Sequence, residues 1–260
     1  MKISIFDPTG NITALVESPV SAEQQPAAAA AIMAEHPDVE QVGFVDFAGE
    51  PSLRMAGGEF CGNASMSAAA LYLLRKGQSA GQVTLRVSGA DKPVAVRLLA
   101  SEDGFSASVR MPRALGVEER CFSFDALSGR LLLVRMQGIS HLIVPADSAF
   151  FSLRSNREAA EQAIRRFCAE MNVEGLGLMF LAGDRLTPLV YVPGSNTVFW
   201  ENSCASGSAA VGIRMADKTK APVSLALREP GGILHVESKP GGDTWLSGHT
   251  RLVCEVVSSS

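Results

Sequence analysis

The sequence predicts a mixed α/β chain built as two halves of similar design. Strand-like segments, alternating in polarity and rich in β-branched residues, dominate it. Two helical segments rich in Ala, Ser and Gly each begin directly after a cysteine, FCGNASMSAAALYLL after Cys61 and SCASGSAAVGIRM after Cys204. These cysteines stand a little over half the chain apart, the spacing of two related units.

In chain order, strands are predicted at residues 2–6, 42–47, 83–87, 94–98, 105–111, 131–136, 189–192, 197–200, 223–227, 233–236 and 250–257. Capping-box spacing, Ser21 to Gln24 and Ser155 to Glu158, predicts two surface helices. The helices predicted at 62–75 and 205–215 carry almost no charge, the composition of buried helices. Proline and glycine in MPRALG (111–116) break the strand pattern. The expected domains are therefore 1–115 and 116–248, packed closely enough to leave a cleft for a small molecule.

At 260 residues and 47% hydrophobic the chain has material for a sizeable core. A net charge of -4 without a basic run excludes the electrostatic footprint of a nucleic-acid or anionic-membrane binder. The N-terminus, MKISIFDPTGN, reads as a strand and not a leader, and no apolar run reaches ~18 residues, so a soluble cytoplasmic protein is expected. Five cysteines without a C-x-x-C pair argue against a disulfide framework and a structural zinc site. Cys121, Cys168 and Cys254 show no helix-start context and read as structural, and Glu59 reads as a solvated side chain. A homodimer is left open.

A thiol at a helix start sits at the positive end of the macrodipole, so a lowered pKa is expected for Cys61 and Cys204. First-turn N–H groups of Gly62 and Asn63, and of Ala205 and Ser206, can hold a carboxylate. A carboxylate held between the two helix ends places its α-carbon between two sulfurs, the arrangement that inversion of a stereocentre needs: a base on one face and an acid on the other. The same cysteines also suit plain packing under Ala-rich helices. A cysteine hydrolase would need a histidine beside one thiol, and His36, His141, His235 and His249 show no such pairing. They also form no metal-binding motif, so no metal is expected.

At these residues the chain resembles the diaminopimelate epimerase family and its pyridoxal-independent racemase relatives. Cys61-Gly62-Asn63-Ala64 resembles the family's CGNG segment and Cys204-Ala205-Ser206-Gly207 its CGSG segment. The resemblance implies two pseudo-symmetric α/β domains, each an antiparallel sheet curled around a central helix, with a C-terminal strand (249–260) returning to the first domain. It implies Cys61 and Cys204 as the acid/base pair with no cofactor, an amino acid as the partner, and Asn11, Gln41, His141 and Glu201 as substrate-binding residues, Glu201 for the α-amino group. Departures stand where the diaminopimelate enzymes hold a distal carboxylate: Ile139, Asn202 and Met55. ENSCASGS is similar to the second motif of histidine racemases of metallophore biosynthesis, which places histidine first among substrates. A diaminopimelate epimerase is the alternative, and a non-catalytic amino-acid-binding paralogue the second; retention of both thiols argues against the latter.

Overall fold

The computed structural model describes residues 1–257. Its first half contains β1 (Lys2–Pro8), β2 (Thr13–Val16), α1 (Gln25–Glu35), β3 (Gln41–Asp46), β4 (Ser52–Met55), α2 (Gly62–Arg75), β5 (Ala80–Val87), β6 (Val94–Ser101) and β7 (Gly104–Arg110). The rest contains β8 (Gly116–Phe124), β9 (Leu127–Arg135), β10 (Ser140–Pro145), a 3-10 helix (Ala149–Ser155), α3 (Arg157–Met171), β11 (Leu176–Ala182), β12 (Arg185–Val192) and β13 (Thr197–Trp200). It ends with α4 (Ala205–Thr219), β14 (Val223–Glu229), β15 (Gly232–Ser238) and the long β16 (Thr244–Val257).

Strands β1 to β7 follow one another edge to edge, and β16 closes the ring by pairing with both β7 and β1. The closed ring has no free edge along it. Helix α2 packs against β1, β2, β5, β6, β7 and β16. A helix enclosed on every side can carry neither charge nor uniform bulk. Residues Gly62 through Leu71 are all buried, mostly Ala, Ser and Gly, with Met66, Leu71 and Leu73 filling the wider gaps. Full burial of each of these large side chains contributes about 1.5–3 kcal/mol. The first charge, Arg75, comes in the last turn, where it complements the helix dipole and pairs with Glu17 at 2.6 Å.

From the start of β16 the sheet continues through β15, β14, β12, β11, β10 and β9 to β8, with β13 folded back on β12. Helix α4 covers one face, against β9, β10, β14, β15 and β16, and α3 covers the other, against β11 and β12. Alternate residues of β11 serve the two layers. Leu178 and Phe180 join the α3 cluster around Phe167, whose ring meets Phe122 at 4.8 Å and Phe150 at 5.8 Å, while Met179 faces the core shared by α2 and α4.

Several expectations are corrected. The sheet is mixed: β2–β3, β4–β5, β10–β11 and β12–β14 are parallel pairs, and a helix, α1 to α4 in turn, lies in each connection. Parallel neighbours need such a crossover, whereas a tight turn suffices for antiparallel ones. Strands β2, β4, β8, β10 and β11 were not expected. β2 and β4 are only four residues long, and β11 (LGLMFLA), buried on both faces, shows the unbroken apolar run that periodicity cannot tell from a helix. Ser21 is no N-cap. It donates to Gln24 Oε1, and the helix begins at Gln25 with Pro26 in its first turn. Asn156, not Ser155, caps α3, its Oδ1 accepting from the Ala159 N–H at 3.2 Å. Of the strand expected at 249–260, residues 250–257 pair with β1, and 258–260 lie outside the described residues. Among the described residues, no helix is long and apolar enough to cross a membrane.

Candidate active site

Cys61 and Cys204 are the N-cap residues of α2 and α4 and share one extended backbone conformation, φ -130 and ψ 116 against φ -129 and ψ 100. The two helices meet start to start. A Cβ placed on Gly62 would lie 2.8 Å from Ala205 Cβ, so only glycine permits this approach. First-turn N–H groups have no preceding helical carbonyl to serve, and Gly62, Asn63, Ala205 and Ser206 all line the space where the helices meet. Cys61 and Cys204 both line one cavity of about 30 Å³.

A chain of hydrogen bonds leads to the first sulfur. Asn202 Nδ2 donates to Glu40 Oε1, and Asn11 Nδ2 to Glu40 Oε2 at 2.7 Å. Gln41 Nε2 donates to Asn11 Oδ1 and, at 2.8 Å, to Thr13 Oγ1. The Cys61 thiol donates to Gln41 Oε1 at 3.1 Å, and the Ala64 N–H donates to its sulfur at 3.3 Å. The segment before Cys204 is pinned to the first half as well: Asn63 Nδ2 donates to the Ser203 carbonyl at 3.0 Å, and the Ser203 hydroxyl to the Pro8 carbonyl at 3.2 Å. Behind the second sulfur, the Cys204 N–H donates to Glu229 Oε2 at 2.6 Å and the Ser208 hydroxyl to Glu229 Oε1.

The electrostatics correct the expectation of acidic thiols. Burial pushes the Cys61 thiol up to about 12, with the charges of Glu201 and Glu59 acting in the same direction. Cys61 is itself partly exposed at the cavity wall, but protein atoms crowd its sulfur. Cys204, fully enclosed, is raised well above the ordinary thiol by burial and then by Glu201 and Glu229. Helix dipoles favour thiolate, but desolvation beside several carboxyls outweighs them. Burial also lifts Glu201 to about 8, helped by repulsion from Glu40, Glu229 and Glu59, and lifts Glu229 to about 8. Among the described residues, no Lys or Arg lines the cavity. Helix N–H groups therefore supply its positive potential, and the carboxyls supply a place for a cation.

The structure gathers Asn11, Gln41, Cys61, Gly62, Asn63, Glu201, Cys204, Ala205 and Ser206 around this one cavity. His141 is not among its walls. It is fully buried, its ring packs against Gly177, neither ring nitrogen has a partner among the described residues, and burial pushes it down to about 3. Glu59 is not solvated but lines the cavity, with Oε2 buried. Met55 is a core residue. Of the cysteines read as structural, Cys168 is buried, but Cys121 and Cys254 are exposed. Sequence reasoning missed Glu40, Ser203 and Glu229, which reach the site through contacts remote in sequence; Glu229 lies 25 residues beyond Cys204 and leaves no local signal. Among the described residues, no three His, Cys, Asp or Glu side chains are grouped to hold a metal ion.

Two helix starts, each capped by cysteine and facing one cavity, can be set beside known proteins. The family model described as "Histidine racemase CntK N-terminal domain" matches residues 1–250. The chain belongs to the histidine racemase family. A histidine racemase of Fusobacterium nucleatum subsp. nucleatum (strain ATCC 25586) is 33% identical, covering 98% of this chain and 96% of that protein. A histidine racemase of Staphylococcus aureus (strain Mu50) is 29% identical over 92% of this chain and 89% of that one. Among solved structures, a predicted epimerase from Pseudomonas aeruginosa is similar with a TM-score of 0.72 at 16% identity, covering 100% of this chain and 99% of that one. A probable proline racemase from Agrobacterium radiobacter K84 also gives 0.72, at 14% identity over 99% and 92%. At such identities the two structures speak for this family member's fold alone.

Proposed function

We propose that this chain racemises histidine without a bound cofactor, Cys61 and Cys204 being the bases on opposite faces of the substrate α-carbon. Family membership makes it an amino-acid racemase, an isomerase. The observation that carries the two-base reading is the pair of N-cap cysteines lining one cavity, with their helix starts close together at Gly62 and Ala205. On this reading the halves 1–115 and 116–248 act as two domains that contribute one cysteine each.

The substrate carboxylate accepts from the first-turn N–H groups of both helices, and the same dipoles stabilise the charge that builds on it as the α-proton leaves. The α-ammonium lies against Glu201. A cation there cancels part of the repulsion that keeps both thiols protonated, so substrate binding itself favours thiolate. The thiolate on one face takes the α-proton and the thiol on the other gives its proton to the carbanion. The pair ends with thiol and thiolate exchanged, and the reverse reaction uses the opposite assignment. Histidine suits the walls Ile139, Val190 and Val192 better than a second carboxylate, which would be buried with no cationic partner.

The test is α-proton exchange in D2O, followed by NMR over a panel of L-amino acids that includes diaminopimelate. Histidine should lose its α-proton signal. Cys61→Ala and Cys204→Ala should each abolish racemisation while circular dichroism stays native, and a racemising single variant would end the two-base reading.

A further inference from the structure

Glu59 lies two residues before Cys61 in the connection from β4 to α2. Its carboxyl turns inward. Oε2 is buried without a hydrogen-bond partner among the described residues, and a Cβ on Gly57 would come within 2.6 Å of both Glu59 Oε2 and Val192 Cγ1. Gly57 thus lies close to both this carboxyl and the end of β12, with no room there for a side chain. Burial raises it above the usual carboxylate range, against the smaller opposing help of backbone N–H groups and Arg54.

Glu59 borders two cavities. One is the inner cavity between the cysteines; the other, of about 170 Å³, opens beyond it toward α1 and the β12–β13 hairpin. Gln41, Glu59, Val190, Val192 and Glu201 form the wall common to both. Gln41 is committed to Asn11, Thr13 and Cys61. Glu201 receives the α-ammonium in the reading above, on which this inference rests. Glu59 is then the polar group on that wall with an oxygen to spare. Past it the outer cavity is largely apolar, with Ala29, Met33, Val42 and Phe199 among its walls.

A side chain that leaves the α-carbon toward the outer cavity must pass Glu59. A buried carboxyl oxygen without a donor is unfavourable, and a ligand N–H or cation relieves it. We infer that Glu59 is the specificity residue of the site: it accepts the ring N–H of the substrate side chain, so that amino acids with a nitrogen donor just beyond Cβ are taken. An apolar side chain would leave Oε2 unpaired, and an acidic one would meet a like charge. The apolar walls beyond then receive the face of a flat ring.

The test compares histidine with 3-(2-thienyl)alanine, a ring of similar size that lacks the N–H, by α-proton exchange in D2O on the same preparation. The ratio of the two rates does not depend on how much of a variant is folded. Wild-type protein should prefer histidine by ~100-fold or more, because a site built around a hydrogen bond rejects the analogue that cannot make it. In Glu59→Leu that preference should fall below ~10-fold, histidine losing far more than thienylalanine, and Glu59→Gln, which keeps an acceptor, should lie between. An active Glu59→Leu with the wild-type preference overturns this assignment alone. Wild-type protein that exchanges no amino acid overturns the functional reading and the assignment with it.

Discussion

The backbone N–H of Cys204 and the hydroxyl of Ser208 converge on one buried carboxyl, that of Glu229 at the end of β14, with the Cys204 contact at 2.6 Å. Glu229 thereby fixes the start of α4 from outside the helix. Glu229→Ala should leave two buried donors unpaired and cost about 1–3 kcal/mol for each. Glu229→Gln presents a carbonyl to the N–H and an amide to the hydroxyl oxygen, so it should stay within about 1 kcal/mol of wild type. Urea unfolding of the two variants reads the difference. Equal midpoints would show that Glu229 does not hold the helix start.

The bounds of α2 and both cysteine N-caps were legible because they are local: a run of small residues after a cysteine says where a helix begins and that it is enclosed. Glu40 and Glu59 were not, since their surroundings come from partners far along the chain, such as Asn202 for Glu40. The thiol pKa failed for the same reason. A helix dipole can be read from sequence, but the convergence of Glu201, Glu229 and Glu59 on two buried sulfurs is tertiary. Glu201, three residues before Cys204, and Glu59, two before Cys61, were the local warnings. Strand β11 escaped because burial on both faces erases the alternation that marks a strand.

Stability should fall as pH rises from 6.5 to 8. Burial lifts Glu201 and Glu229 to about 8 from an ordinary 4.5, so between those values the folded protein binds protons that the unfolded chain has released. His141 opposes this only below 6.5: burial pushes it down to about 3, and the unfolded chain takes up a proton there that the native state refuses. Glu17, held at about 2 against burial by hydrogen bonds from Arg75, Ser4 and Lys2, costs stability only as pH drops below 4.5. Two carboxyls outweigh one imidazole above 4.5, so melting temperature should peak at the acid end of the range from 4.5 to 6.5. Glu201→Gln should remove roughly half the decline from 6.5 to 8. A melting temperature that holds or climbs across that window contradicts the assignment.

The free protein should alkylate in an order opposite to the one expected of activated thiols. Thiolate is the reacting species, and burial beside carboxyls suppresses it at Cys61 and Cys204, while Cys121 and Cys254 are exposed on β8 and β16. With iodoacetamide near neutral pH and peptide mass spectrometry, Cys121 and Cys254 should label first. Cys61 and Cys204 should lag by ~10-fold or more. Early labelling of Cys61 would mean that its thiol is not held protonated in the free protein.

Gly62→Ala tests the contact on which the proposed two-base geometry depends. The added methyl would sit 2.8 Å from Ala205 Cβ and 3.4 Å from Met111 Sδ. Met111 has a flexible end that can yield. Ala205 cannot, because its Cβ is fixed to the first turn of α4, so the two helix starts must separate. Overpacking of this kind costs about 1–3 kcal/mol. The rate should suffer more, since a displacement approaching ~1 Å can cost on the order of 100-fold when two groups must address one carbon. Gly62→Ala combined with Ala205→Gly moves the methyl across the contact and restores the space, so the double variant should recover most of both losses. Because the two residues touch, the effects should be strongly non-additive. Exchange rates and melting temperatures of wild type, both single variants and the double variant complete the cycle. Additive losses would mean that the helix starts do not bear on each other, and that the spacing of the sulfurs is set elsewhere.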